Sequence, residues 1–304
     1  MQGKGGTAMS DREQSRHLVS GTTRLVGVMG WPVSHSRSPG MHNAALSAAG
    51  IDAVYVPLPV PPDRLAEAVA GLKALGFVGS NVTIPHKEGV AALMDELTEE
   101  ARLIGAVNTI RVEPDGSLTG HNTDCIGAVA ALERDGTSIR GKTTVIIGAG
   151  GAGRGVAAGC ALAGAARVVV LNRTADRARA VVEELAGHSR LSAGTEWHHG
   201  TLGSALPGGL NWTDVDAVFQ MTSLGMKDNR EIPLDPAILP PGCHVLEGVY
   251  VPLETPFLSA ARAKGLRTTD GLAMLLEQGA ASFAFWFGVA PDREAMRRAL
   301  SPAG

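Results

Sequence analysis

Short apolar runs alternate with amphipathic segments along most of the chain. Residues 23–30 ("TRLVGVMG") and 53–60 ("AVYVPLPV") predict buried strands, and 38–50 and 62–76 have helical spacing. Residues 77–85 predict a third strand that leads into a helix from His86. Two more strands are expected within residues 105–124, around a turn at Asp115 and Gly116. This first unit is α/β and closes near Asp124.

The alternation continues in a second unit. It predicts helices at 125–134 and 175–186, a glycine turn after the first strand, and strands at 143–147, 167–174, 216–223 and 244–250. Repeated strand and helix alternation indicates a parallel, doubly wound sheet.

The predicted fold is α/β with two α/β domains, the second of them Rossmann-like. The apolar helix expected at 270–288 is too hydrophobic to stand alone, so the C-terminal helices are predicted to return to the first domain. The expected boundaries are a disordered tail or tag over 1–22, a first domain of 23–124 plus 269–304, and a second domain of 125–268.

Composition narrows the function. The 304 residues carry a formal net charge of -3, so no basic field for nucleic acid is expected. Apolar stretches are too short to span a membrane, and the three cysteines are far apart, which favours a reducing, cytoplasmic location. No histidine cluster indicates a metal site, and the sequence leaves open whether the chain is a monomer or a homodimer.

The second unit contains a dinucleotide-binding pattern. Gly148, Gly150 and Gly153 form G-x-G-x-x-G after the strand "TTVII" and before a helix of small residues. Glycines also end strands for structural reasons, but a strand before and a helix after are what a pyrophosphate requires. At the end of the next strand stand Arg173 and, one turn later, Arg177, where an NAD site usually has a carboxylate. NADP is therefore the predicted cofactor. The alternative is that the two arginines only form the solvent-exposed beginning of a helix.

Polar side chains mark a substrate site in the first unit. In "SHSRSP", Ser34, Ser36 and Ser38 would share one face of an extended chain before a helix opened by Pro39. This row suits an oxygen-rich ligand, although Ser38 as a simple helix cap is the alternative.

A lysine and an aspartate in the same unit could exchange a proton. "NVTIPHK" brings Lys87 into the first turn of the predicted helix, where the helix dipole disfavours a cation, and "GHNTD" brings Asp124 to the junction of the units. A surface lysine is the alternative.

Eight motifs occur in an order and spacing that resemble the shikimate dehydrogenase family: "HSRSP", "NVTIPHK", "GAVNT", "NTD", "GAGGAGR", "NRT", "TPFL" and "DGLAMLLEQ". The resemblance implies reversible, NADP-linked reduction of 3-dehydroshikimate to shikimate, which feeds aromatic amino acid synthesis. It implies that Lys87 and Asp124 are the catalytic pair and that the first domain binds the substrate. Ser36 and Ser38 would hold the substrate carboxylate, and the other substrate contacts would be Thr83, Asn108, Tyr250 and Gln278. The expected cofactor-binding residues are Gly148, Gly150, Gly151, Ala152, Gly153, Asn172, Arg173, Thr174, Arg177, Thr222 and Gly271.

Elementary chemistry agrees with that pair. Oxidation of a secondary alcohol releases a hydroxyl proton as hydride leaves the carbon, so a proton acceptor must lie within hydrogen-bond reach. Lys87 would serve there and Asp124 would orient it. Hydride acceptance belongs to the cofactor, so no metal is required.

Four positions depart from the family pattern: Gln220 and Met221 in "QMTSLGM", Glu247 where an aspartate is common, and Trp31 near the serines. They leave quinate or aminoshikimate dehydrogenase as alternatives. A further alternative, from another class, is a non-catalytic NADP-binding sensor.

Overall fold

The computed structural model describes residues 19–301, and its N-terminal part is built on a mixed six-stranded sheet. The strand order is β2-β1-β3-β5-β6-β4. The strands are β1 (Arg24–Gly30), β2 (Ala53–Pro59), β3 (Phe77–Val82), β4 (Glu96–Leu97), β5 (Thr109–Val112) and β6 (Leu118–His121). The helices of this part are α1 (Ser38–Ala48), α2 (Leu65–Ala74) and α3 (Glu99–Ile104).

The first sheet contains both parallel and antiparallel pairs. β1 is parallel to β2 and β3, but β5 is antiparallel to both β3 and β6. The turn at Asp115 and Gly116 is the reason, because a short hairpin turn allows only antiparallel pairing, whereas parallel strands need a crossover of a dozen residues or more.

The second sheet also has six strands, and all of them are parallel. Its order, β12-β11-β10-β7-β8-β9, is that of a Rossmann-like fold. The strands are β7 (Thr143–Ile147), β8 (Arg167–Asn172), β9 (Glu196–Thr201), β10 (Ala217–Gln220), β11 (His244–Glu247) and β12 (Arg267–Thr269). The helices are α4 (Asp124–Arg134), α5 (Gly151–Leu162), α6 (Ala175–Ala186), α7 (Ser189–Ser192) and α8 (Pro256–Ala263).

The last two helices, α9 (Gly271–Phe287) and α10 (Arg293–Leu300), return to the first sheet. Phe283 of α9 and Met296 of α10 lie in one apolar cluster with Val26 of β1 and Met41 of α1. Burial of these side chains holds α9 against the first sheet, and α9 also packs along α4. Helix α9 thus returns to the first sheet, as expected, and it also contacts the second half of the fold through α4.

The helix predicted from His86 is wrong, because residues 84–90 form turns. The carbonyl of Lys87 accepts a hydrogen bond from the amide of Val107, 2.8 Å away, instead of an amide four residues further along a helix. Lys87 is therefore held by a neighbouring segment.

Thr22 and Thr269 lie at the ends of the predicted domains. Residues 1–18 of the expected tail lie outside the described residues, but Thr22 is fixed to the first sheet by a 2.9 Å hydrogen bond to Asp52. Strand β12 ends at Thr269, one residue beyond the expected boundary at 268. Between residues 19 and 301, no helix is long and apolar enough to cross a membrane.

Candidate active site

Lys87 and Asp124 form a buried ion pair at the junction of the two sheets. The Lys87 ammonium lies 2.5 Å from Oδ2 of Asp124, and the side chains are 14% and 6% exposed. Lys87 follows β3, and Asp124 opens α4 after β6. The Asn122 side chain accepts from the Asp124 amide and donates to the Ala106 carbonyl, so the polypeptide around Asp124 is held in place.

Helix α5, which follows the first strand of the second sheet, lies against this pair. Gly151 is the first residue of α5, and a Cβ built there would lie 3.1 Å from Cβ of Lys87. One turn later, a Cβ on Gly155 would lie 3.2 Å from Cβ of Asp124. Glycine at both positions lets α5 come this close without displacing the pair. The beginning of α5 and the Lys87–Asp124 pair therefore lie side by side.

The glycine loop has the shape that a pyrophosphate requires. Gly148 has φ 114°, which favours glycine, and a Cβ on Gly153 would lie 2.0 Å from the Gly148 carbonyl oxygen. A Cβ on Gly150 would meet no atom within 4 Å, so this part of the loop borders open space in front of the α5 N-terminus. Amide groups at a helix N-terminus favour a phosphate, and Ala152 lies in that first turn.

Two arginines lie at the end of β8, where the sequence predicts contacts to the cofactor. Arg173 and Arg177 flank the beginning of α6, after β8, and both are exposed. Among the described residues neither pairs with a carboxylate, and the nearby Asp176 pairs with Arg179 at 3.0 Å. Asn172 donates to the Thr174 carbonyl at 3.0 Å and shapes the turn between strand and helix. Unpaired guanidinium groups at this end of the strand fit NADP.

The predicted carboxylate site contains two serines and a tyrosine. Ser36 and Ser38 stand at the beginning of α1, and the Ser38 amide donates to Ser36 Oγ at 3.3 Å. The Tyr250 phenol, from the loop after β11, faces the Ser36 side chain and the Arg37 backbone, and burial raises its pKa. The Tyr55 phenol faces Ser38 in the same way.

The structure corrects two expectations about these serines. The segment before α1 contains a turn at residues 34–35 and is not extended, and Ser34 is exposed. Ser38 is not the helix cap: it is the first helical residue and is buried, while Arg37 takes the cap position without a side-chain hydrogen bond.

The expected hydroxyl-binding residues converge on Thr123. Asn108 Oδ1 accepts from the Thr123 amide at 2.8 Å, and Asn108 Nδ2 donates to the Thr123 hydroxyl at 3.0 Å. The same hydroxyl lies 3.4 Å from Gln278 Oε1. Gln278 is brought this close because α9 crosses α4 at Gly127, where a Cβ would lie 2.6 Å from Gln278 Cβ. Thr83 directly follows β3 and is partly exposed.

Sequence reasoning missed a buried polar network below these residues. The Tyr55 hydroxyl donates to Asn81 Oδ1 at 2.8 Å, and Asn81 Nδ2 donates to the Ser282 hydroxyl at 3.0 Å. Ser282 also contacts the hydroxyls of Thr109 and Thr123, at 2.8 Å and 3.1 Å. The available signal is Ser282 itself, a lone hydroxyl in the apolar stretch "AASFAFWF" of α9.

The residues that depart from the family pattern shape the loops at the end of the second sheet. The buried Gln220 accepts from the Thr222 amide and hydroxyl, at 2.6 Å and 2.8 Å, which fixes Thr222. A Cβ on Gly148 would lie 3.0 Å from the Met221 carbonyl oxygen, so this loop adjoins the glycine loop. Gly271 is the first residue of α9 and lies beneath the loop that follows β11. At the end of β11, burial raises the pKa of Glu247 to about 7.

The Rossmann-like sheet, the glycine loop and the Lys87–Asp124 ion pair are the features of a two-domain, dinucleotide-dependent oxidoreductase. Family models agree with that class. "Shikimate dehydrogenase substrate binding domain" matches residues 28–110, "Shikimate / quinate 5-dehydrogenase" matches 130–196, and "Shikimate 5'-dehydrogenase C-terminal domain" matches 271–300.

Curated relatives match nearly the whole chain. The chain is 47% identical over 284 residues to shikimate dehydrogenase (NADP(+)) of Citrifermentans bemidjiense, which covers 93% of this chain and 96% of the relative. It is 46% identical over 289 residues to the enzyme of the same name from Rhodospirillum rubrum, covering 93% and 99%. The chain belongs to the shikimate dehydrogenase family.

Solved structures share the architecture. A shikimate dehydrogenase in complex with NADP+ has a TM-score of 0.84 and 39% identity, covering 93% of this chain and 96% of that one. Shikimate 5-dehydrogenase from Thermus thermophilus, in complex with NADP(H) and shikimate, gives 0.80 and 36%, covering 91% and 98%. The ligand-free 5-ketofructose reductase of Gluconobacter sp. strain CHM43 gives 0.81 and 36%, covering 92% and 99%, so this fold is not confined to one substrate.

Proposed function

We propose that this chain catalyses the NADP-dependent, reversible reduction of 3-dehydroshikimate to shikimate. The observation that carries the proposal is the buried Lys87–Asp124 pair with Gly151 packed against it. A proton-transfer group and the predicted cofactor loop lie side by side, which is the arrangement that alcohol oxidation by hydride transfer needs. Membership of the shikimate dehydrogenase family supports the choice of substrate.

The first domain binds and orients the substrate. Ser36, Ser38 and Tyr250 offer hydroxyl groups to the carboxylate, and hydrogen bonds to a charged group are the stronger kind. Thr83, Asn108 and Gln278 contact the ring hydroxyls on the other side. With both ends of the ring held, the reacting carbon is fixed in position, which removes much of the entropic part of the barrier.

Lys87 transfers the proton. In the reducing direction its ammonium donates a proton to the carbonyl oxygen, which becomes the new hydroxyl. In the oxidising direction the neutral amine removes that proton. Asp124, 2.5 Å away, orients the amine and contacts the same hydroxyl. NADP supplies the hydride chemistry when it is bound.

Residues of the second domain hold the cofactor. The loop residues Gly148, Gly150, Gly151, Ala152 and Gly153 offer backbone amides and space to the pyrophosphate. The ribose phosphate is bound by Arg173 and Arg177, with Thr174 and Asn172 beside them. Thr222 and Gly271 belong to the nicotinamide end.

Quinate dehydrogenase is the second candidate, favoured by the family model described as "Shikimate / quinate 5-dehydrogenase". A non-catalytic NADP-binding sensor is disfavoured, because both members of the proton-transfer pair are present and in contact. A cytoplasmic location stays a prediction, and the choice between monomer and homodimer stays open.

A steady-state panel tests the proposal. Shikimate, quinate and aminoshikimate are each oxidised with NADP+ and with NAD+, and formation of the reduced cofactor is followed at fixed pH. We expect the highest kcat/KM for shikimate with NADP+, and activity that falls by about 10²-fold or more in Lys87→Ala. A higher kcat/KM for quinate with NAD+ would contradict the proposal and favour the second candidate.

A further inference from the structure

Within the part of the chain that the structure describes, Glu247 is a buried carboxyl without a partner cation. It is the last residue of β11, next to the apolar Val245 and Leu246, and it is 0% exposed to solvent. Its contacts are neutral donors: Oε1 accepts from the Val249 amide at 2.9 Å, and Oε2 from the Thr255 hydroxyl at 2.8 Å. Burial of an ionised carboxyl group without a partner cation costs free energy. Hydrogen bonds to the loop offset that cost here.

These hydrogen bonds join the two ends of one loop. Residues 248–255 connect β11 to α8, and Glu247 binds the loop near its beginning, at Val249, and at its end, at Thr255. The Thr255 hydroxyl also accepts from the Leu258 amide at 3.1 Å and so caps α8. The carboxyl therefore fixes both where the loop leaves the sheet and where it enters the helix.

The loop carries Tyr250 across to the other domain. Tyr250 stands one residue beyond Val249, and its phenol faces Ser36 at the beginning of α1. The loop is also held from outside, because the Val251 carbonyl accepts from the Lys227 amide at 2.9 Å. A Cβ on Gly271 would lie 2.5 Å from the Val249 carbonyl oxygen, so α9 supports the loop from below. These two external contacts are made by the loop backbone and leave the Tyr250 side chain to the other domain.

We infer that Glu247 is a positioning residue for substrate binding, which sets Tyr250 against Ser36 by fixing the two ends of loop 248–255. The inference rests on the proposed function, in which Tyr250 and Ser36 hold the substrate carboxylate. Glu247 touches neither substrate nor cofactor in that arrangement and acts only through Tyr250. A purely structural carboxyl would stabilise the fold without any link to Tyr250.

A double-mutant cycle separates the two roles. The variants are Glu247→Gln, Tyr250→Phe and the combination, each assayed with shikimate and NADP+. We expect Glu247→Gln to raise KM for shikimate about tenfold, because the charge-assisted hydrogen bond between Tyr250 and the substrate carboxylate is disturbed. The value of kcat should stay within about threefold of wild type, and KM for NADP+ should be unchanged. In the Tyr250→Phe background the same change adds less than about twofold, because the contact it positions is already absent.

Thr255 provides a second pair of variants in case Glu247→Gln does not fold. Thr255→Val removes the hydroxyl that binds Glu247 and should raise KM for shikimate in the same direction. Thr255→Ser keeps that hydroxyl and serves as the matched control, with KM near the wild-type value. Thermal unfolding of every variant shows which of them fold.

Two results overturn the inference: an unchanged KM in folded Glu247→Gln and Thr255→Val, or a rise of KM that is equally large with and without the Tyr250→Phe change. Either one assigns Glu247 to the stability of the fold alone. A wild-type chain that does not oxidise shikimate contradicts the proposed function instead. The cycle is then measured with the substrate that the panel identifies, so the two failures remain distinct.

Discussion

The side chain of Lys87 lies directly on the backbone of Gly151, so that a methyl group on Gly151 would be 3.1 Å from Lys87 Cβ. That separation is shorter than an ordinary van der Waals contact between carbon atoms. The two residues come from different halves of the fold, Lys87 from the turns after β3 and Gly151 from the first turn of α5. The position of Lys87 therefore depends on the residue that opens α5.

Three glycine variants test this dependence. Gly151→Ala should shift Lys87 slightly and lower kcat, by less than the roughly 100-fold that a misplacement of about 1 Å can cost. Gly150→Ala, whose methyl group would enter open space in the free protein, should weaken NADP+ binding without loss of stability. Gly153→Ala, whose methyl group would be 2.0 Å from the Gly148 carbonyl oxygen, should lower stability by about 1–3 kcal/mol.

The three variants are compared by kcat, by calorimetric titration with NADP+ and by thermal unfolding. They differ by one methyl group at neighbouring positions, so each is the control for the others. A Gly151→Ala variant with wild-type kcat would show that the Lys87 side chain adapts freely and that the contact has no functional consequence.

Removal of either member of the ion pair should impair the chemical step. We expect Lys87→Ala to lower kcat by about 10²-fold to 10⁴-fold, the usual contribution of a positioned acid or base, with NADP+ binding near wild type. Asp124→Asn should also be impaired, and the double variant should be less impaired than the product of the two, since the pair acts as one unit.

A second lysine ion pair in the same domain is the control. Lys73 lies 2.9 Å from Asp95, but both side chains are well exposed, at 39% and 48%. Lys73→Ala should leave kcat unchanged, because an exposed ion pair contributes little and this one does not contact Lys87 or Asp124. Lys87→Ala with most of its kcat intact would exclude Lys87 from the mechanism.

Local patterns predicted much of the fold. Helix α6 has the bounds expected from its periodicity, Ala175–Ala186, and the turn at Asp115 and Gly116 lies between β5 and β6. The polar stretch "EWHHG" gave no signal for β9, because an edge strand with partly exposed side chains lacks an apolar run. The turns around Lys87 were missed because a distant amide, that of Val107, determines the direction of its carbonyl.

Of the candidate site, the sequence predicted only the residues that lie in recognisable motifs. Lys87 and Asp124 were expected to be partners, and the structure places them in contact. The network through Tyr55 and Ser282 joins residues more than 200 positions apart, such as Asn81 and Ser282. No local spacing encodes such a contact, because it depends on how α9 packs on the first sheet.

His42 should make stability depend on pH. Its ring is fully buried, stacks on Tyr55 at 4.4 Å, and neither ring nitrogen has a hydrogen-bond partner within residues 19–301. Burial lowers the pKa of His42 from 6.5 to about 3. Between these values the unfolded chain binds a proton that the folded chain does not. Stability is therefore lost as pH falls below 6.5, by up to about 1.4 kcal/mol per pH unit.

Urea unfolding from pH 7 to pH 4 measures this effect in wild type and in His42→Leu. Other histidines contribute to the wild-type slope, so the quantity of interest is the difference between the two proteins. We expect the wild-type free energy of unfolding to fall more steeply than that of the variant as pH is lowered. Parallel curves would mean that His42 is not the group that takes up the proton.

Arg173 should determine the choice of cofactor. It follows β8, where the adenosine ribose must lie in a Rossmann-like fold, and its guanidinium can bind a phosphate that NADP has and NAD lacks. Arg177 is one helical turn away and can reach the same phosphate. Two charge-assisted contacts, each worth about 1.5–3 kcal/mol, predict a preference for NADP+ of about 100-fold or more in kcat/KM.

The preference is measured as the ratio of kcat/KM for NADP+ and NAD+ in wild type, Arg173→Ala and Arg179→Ala. Arg173→Ala should weaken use of NADP+ far more than use of NAD+. Arg179 is the matched control, because it lies six residues further on, in α6, and pairs with Asp176, so its loss should leave the ratio near wild type. High salt should erode the wild-type preference, since the two arginines are exposed and their attraction for phosphate is screened. An NAD+ preference in the wild type would refute the assignment of these arginines and favour the quinate-type alternative.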